Sequence, residues 1–119
     1  MNEHLLYDEE AQNMGYFPFM EPGEKTVFTA PGILDNIING YLVLTDKKIF
    51  FYFYSNIARD KKFIATYPYI ISASLKEGLI YSTLVVSSKK ESIKINKIKK
   101  KDALKFYKIL NEIIKDNKK

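Results

Sequence analysis

A chain of 119 residues, 46% hydrophobic and 28% charged, has room for one modest core and not for two. It has no cysteine and a single histidine, His4, which excludes disulfides, thiolate metal sites and thiol chemistry and leaves no histidine-based triad to assemble. The formal charge of +5 is uneven: residues 1–60 sum to −5 and residues 61–119 to +10. The cations are lysines except for Arg59. They read as a solvated lysine surface, with an electrostatic binding face as the alternative.

Residues 1–22 read as an N-terminal extension and residues 23–119 as the domain proper. The extension starts acidic, with Glu3, Asp8, Glu9 and Glu10, and a short helix is expected over residues 3–13. The aromatic stretch Tyr16-Phe17-Pro18-Phe19-Met20 that follows must be buried, and packing on its own domain is expected. The N-terminus lacks a basic region leading into an apolar stretch, so a cytoplasmic location is expected. The apolar run Ile49 to Tyr54 is far shorter than the roughly 18–20 residues that span a bilayer.

From Glu24 on, short strands alternate with turn signals. The first is expected at Lys25 to Ala30, ended by Pro31-Gly32. Tyr41 to Thr45 and Ile49 to Tyr54 should pair as a hairpin around the polar turn Asp46-Lys47-Lys48. Lys62 to Tyr67 follows. Ile71 to Lys76 places Ile71, Ala73 and Leu75 on one face, then Glu77-Gly78 turns the chain into Ile80 to Ser87. Ser92 to Asn96 is the seventh strand. The period then changes: Ala103, Phe106, Tyr107, Leu110, Ile113 and Ile114 form the apolar stripe of a C-terminal helix, with Asp102 near its start and Lys115, Lys118 and Lys119 near its end, as the helix dipole favours.

Seven strands closed by one amphipathic helix make a mainly β, α+β small domain. Three stretches sharpen that reading: Gly40-Tyr41-Leu42-Val43-Leu44-Thr45-Asp46-Lys47-Lys48-Ile49-Phe50-Phe51, Tyr67 to Lys76, and Lys101-Asp102-Ala103-Leu104 to Tyr107. In order and spacing they resemble the hairpin of the second and third strands, the entry to the fifth strand and the opening of the closing helix in bacterial pleckstrin-homology (PH) domains and the related GRAM domains. The resemblance covers about residues 23–116 and implies a PH-like seven-stranded bent barrel capped by the helix.

Chemistry is hard to place on this chain. The carboxylates lie mostly in turns and termini, where Asp35 and Asp46 read as turn formers, and no phosphate-loop, dinucleotide or nucleophile-elbow pattern is present. No enzyme and no cofactor is expected. Half of the run Phe50 to Tyr54 must face the core and no lysine or arginine interleaves with it, so nucleic acid is disfavoured. The resemblance implies phosphoinositide binding through basic residues of the first loop. Here residues 31–39 hold no lysine or arginine, so a specific phosphoinositide is disfavoured too.

Two readings of function remain. In the first the chain is a non-enzymatic module acting through a protein partner or self-association, with Ile33, Leu34, Ile37 and Ile38 of the first loop and Leu104 and Ile109 of the helix as candidate interface residues. In the second it binds an anionic membrane weakly through the basic loops Arg59, Lys61 and Lys62, and Lys89 and Lys90.

Overall fold

In the computed structural model, residues 9–14, 19–53 and 64–117 are described. The elements in order are α1 (Glu9–Met14), β1 (Thr26–Leu34), β2 (Ile38–Thr45), β3 (Lys48–Tyr52), β4 (Ile64–Thr66), β5 (Ile70–Glu77), β6 (Tyr81–Ser88), β7 (Ser92–Lys99) and α2 (Lys100–Asn117). A single 3-10 turn, Tyr67–Tyr69, joins β4 to β5.

The strands form one antiparallel sheet in the order β4-β3-β2-β1-β7-β6-β5. Leu42, Leu44 and Phe51 from one half share a single core with Leu84, Val86 and Ile95 from the other, so the sheet bends onto itself. Among the described residues it is not closed by hydrogen bonds, since β4 and β5 are its two edges. Helix α2 covers the bend. Its Ala103, Phe106, Leu110 and Ile114 are buried, and Phe106 meets Phe28 of β1 with ring centroids 4.9 Å apart. The helix thus bridges β1 and the β5–β7 half; of the expected stripe these four are buried, while Tyr107 and Ile113 are half-buried.

Strand β1 runs on through Pro31 and Gly32 to Leu34, where a loop was expected. Pro31 stands opposite Tyr41 on the β2 side, while the registered pairs with β7 are confined to Ile33↔Asn96 and Leu34↔Ile95. A residue without an N–H is tolerated where one flank of a strand has no partner ladder. Gly32 is needed for close packing, because a Cβ there would come 2.6 Å from the Ile95 side chain. The real connection is the turn Asp35-Asn36-Ile37, in which Asp35 and Asn36 take left-handed φ of 51° and 66°. That conformation suits short polar side chains.

Two more departures come from bulges. The register slips between Ile70 and Ser72, so Ile70 is buried while Ile71, expected on the core face, is 48% exposed. On β7 the buried isoleucines are 93, 95 and 98, a spacing that absorbs one extra residue opposite Thr83.

The outer face of β2 and β3 is covered by the N-terminal segment. Val43 and Phe50 pair across the hairpin on that face and form a second small core with Ala11 of α1 and Met20. The Phe19 ring lies 5.9 Å from Phe50 and 5.8 Å from Tyr52. The hairpin is therefore dry on both faces around Val43 and Phe50, which accounts for the apolar runs Leu42 to Leu44 and Ile49 to Phe51. Of the expected first helix, residues 3–8 lie outside the described residues, as do Tyr16, Phe17 and Pro18.

Candidate functional site

The far end of the β2–β3 hairpin holds the most buried polar cluster. Glu24 is 1% exposed, and its carboxylate accepts from the Lys48 ammonium at 3.0 Å, the Glu21 backbone N–H at 2.9 Å and the Thr45 hydroxyl. Thr45 Oγ1 in turn accepts from the backbone N–H groups of Lys47 and Lys48, each at 3.1 Å. The Tyr67 hydroxyl donates to the Thr45 carbonyl, and burial, helped by Asp46 and Glu24, pushes that phenol well above its ordinary range. Every one of these groups is satisfied within the cluster. It therefore locks the hairpin to the start of β1 rather than offering a reactive group.

Sequence reasoning missed this lock. Lys48 reads as a turn residue, and only its place opposite Thr66 on an inner strand turns it inward. Among the described residues, no group of three or more His, Asp or Glu side chains could hold a metal ion. No helix among them is long and apolar enough to cross a membrane.

An open groove of about 640 Å³ lies on the outer face, where β1 and β7 part. Tyr41 and Tyr52, directly paired across β2 and β3, form one wall. Tyr81, Lys97 and Lys99 form the other, and Pro31 and Ile33 lie between. The β7 bulge builds that second wall. Lys97 adopts φ 59°, unusual for a lysine, and its ammonium lies 5.6 Å from the Tyr81 ring centroid.

Side-chain hydrogen bonds tie the bulge in place: the Thr83 hydroxyl donates to Asn96 Oδ1 at 3.1 Å, and the Asn96 amide donates to Asn36 Oδ1 in the β1–β2 turn. The sequence carried one signal for this wall, the broken alternation Ile93, Ile95, Ile98. The other groove residues come from three strands, β1, β2 and β3, and have no local signature.

The candidate residues are scattered rather than gathered. Leu34 is 4% exposed and belongs to the core, which corrects its place in the expected interface, because β1 continues through it with its side chain inward. Ile38 and Ile109 are half-buried against that core, and Ile33 faces the groove. Ile37 and Leu104 are exposed, at 80% and 36%. Arg59, Lys61 and Lys62 lie outside the described residues. Lys89 and Lys90 occupy the β6–β7 turn, where the Lys89 ammonium sits 5.7 Å from the Tyr69 ring centroid and the Ser88 hydroxyl accepts from the N–H groups of Lys90 and Glu91.

Comparisons with known proteins agree with this architecture. The PH domain of USP37 superposes with a TM-score of 0.55 at 19% identity, covering 74% of this chain and 97% of that one. The C-terminal domain of an unknown protein from Leishmania infantum gives 0.65 at 14% identity, covering 88% and 97%. At such identities the likeness is one of fold. No curated protein sequence matches the chain. The profile of the bacterial PH domain matches residues 20–112, most of the length, and the chain belongs to that family.

Proposed function

We propose that this PH domain is a non-catalytic binding module that works through protein contacts, and that the groove between β1 and β7 is its contact surface. The observation that carries the reading is the wall made by the β7 bulge, where a left-handed lysine stands over a tyrosine and the neighbouring Asn96 is fixed by side-chain hydrogen bonds to Thr83 and Asn36. Strained backbone and bulges gather where a side chain has to be aimed.

Tyrosines with a proline and an isoleucine between them provide rigid apolar contact, as protein-recognition surfaces do, and Lys97 and Lys99 set the preferred sign of charge. The occupant is accordingly an acidic segment of a partner protein. Nucleic acid fits less well. Tyr41 and Tyr52 are direct cross-strand neighbours rather than separated stacking platforms, and the groove contributes only two cations with which to follow a phosphate backbone. Self-association through the first turn and the helix has less to work with than the sequence promised, since Ile37 and Leu104 are what the described candidates leave well exposed.

The test is fluorescence anisotropy with short labelled peptides that are acidic, neutral or basic around one phenylalanine, and with a labelled single-stranded oligonucleotide. Acidic peptides should bind best, more weakly as salt rises, and Lys97→Glu or Tyr41→Ala should weaken them about tenfold or more, a loss of about 1.4 kcal/mol. Equal binding across the peptides, or a preference for the oligonucleotide, would refute the reading.

A further inference from the structure

The β5–β6 hairpin ends in a turn that is apolar where turns are ordinarily polar. Leu79 is 98% exposed, Ile80 71% and the adjoining Tyr81 44%, so two neighbouring aliphatic side chains stand in water at the tip of a hairpin. The turn that displays them is tight: a Cβ on Gly78 would collide with the Tyr81 carbonyl oxygen. Single exposed aliphatic residues are ordinary on protein surfaces, but a contiguous pair on a constrained tip is a contact feature.

Lysines surround the tip. Lys99 lies opposite Tyr81 in the sheet, Lys97 reaches over the Tyr81 ring, Lys76 lies opposite Thr83, and Lys100 and Lys101 open α2 directly after Lys99. All of these lysines are exposed, and the carboxylates adjoining them in the sequence are those of Glu77 and Asp102. We propose that this tip is a wedge that inserts into an anionic bilayer, with Leu79 and Ile80 entering the acyl boundary, Tyr81 at headgroup level and the lysines against the lipid charge.

A bilayer suits the tip better than a second copy of the chain does. A convex projection of two residues is far smaller than the roughly 800 Å² per partner of a standard protein interface, and its lysines would repel their own image. An anionic membrane accepts both the apolar tip and the cations. Lysines spread around a projection, each a point charge on a flexible stem, suit the diffuse charge of a lipid surface rather than forked recognition of one phosphate. The tip lies at the end of β7 away from the β1–β2 turn: Asp35 bonds to Lys94, whereas Tyr81 pairs with Lys99, about 17 Å further along the strand.

The chain contains no tryptophan, so Leu79→Trp supplies a single fluorophore at the tip and Ile37→Trp one on the β1–β2 turn. Vesicles of phosphatidylcholine, alone or mixed equally with phosphatidylglycerol, are the probe. At low salt the protein should sediment with the mixed vesicles and not with phosphatidylcholine alone. In the Leu79→Trp variant the indole emission should shift to the blue and escape an aqueous quencher, while in the Ile37→Trp variant it stays unshifted. Leu79→Ser with Ile80→Ser should lower partitioning at least tenfold at an unchanged thermal midpoint, and Tyr41→Ala in the groove should leave partitioning as it was. Absence of sedimentation at low salt, sedimentation of the Leu79→Trp variant with its emission unshifted, or a blue shift that grows with protein concentration in the absence of vesicles would each overturn the proposal.

Discussion

Two hairpins of the same sheet are built to opposite ends. In the β2–β3 pair the middle of the hairpin is covered on both faces, by the main core inside and by Ala11, Phe19 and Met20 over Val43 and Phe50 outside, and the closed end is tied by Glu24, Lys48, Thr45 and Tyr67. Its turn is tied to β1 as well, with the Asp46 N–H donating to the Lys25 carbonyl at 3.0 Å and the Lys25 N–H to the Asp46 carboxylate at 3.1 Å. The β5–β6 pair has one inner face packed under α2, a solvated outer face, and a tip whose Leu79 is almost wholly exposed. The first hairpin holds the bent sheet in shape. The second, with the bulge of β7 beside it, presents the side chains left to meet something else.

The largest effect should come from undoing the lock. Lys48→Met leaves the Glu24 carboxylate buried without its cation and should lower stability by about 3–5 kcal/mol in urea unfolding, whereas adding Glu24→Leu to it should restore most of the loss. If Lys48→Met alone proves neutral, the two hairpins do not differ as described.

A smaller effect belongs to Tyr67. Its folded-state phenol titrates above the ordinary value of about 10, so its contribution is full below pH 10 and fades as pH climbs from there toward the folded-state value. Tyr67→Phe should cost about 1 kcal/mol at neutral pH through the lost bond to the Thr45 carbonyl, and should flatten the decline of stability in alkaline solution. Thermal melts between pH 7 and about 11 would show it. An alkaline slope equal to that of the natural chain would remove Tyr67 from the lock.

The order of strands and the closing helix were legible because each depends on local periodicity: the i, i+3, i+4 stripe of α2, the polar turn at Asp46 and Lys47, and the alternation Ile93, Ile95. What stayed hidden depends on contacts between segments far apart in the chain. Pro31-Gly32 carries the chemistry of a strand end, and only the absence of a β7 ladder beside Pro31 and the nearness of Ile95 to Gly32 allow the strand to continue. Glu24 and Lys48 look like surface charges until the ends of β1 and β3 are brought together. The groove residues lie between positions 31 and 99, and no stretch of sequence holds more than a few of them. The tip was in plain view as Gly78-Leu79-Ile80, but counting Ile80 into the following strand concealed that the turn itself is apolar.

Amide hydrogen exchange on the intact chain, alone and with anionic vesicles, tests most directly the division between a locked hairpin and a working one. Residues 42–51 should exchange slowly in both conditions, and residues 78–81 should exchange fast in the free protein and slow down when vesicles are added. Fast exchange through 42–51, or vesicle protection that falls there and spares 78–81, would contradict it.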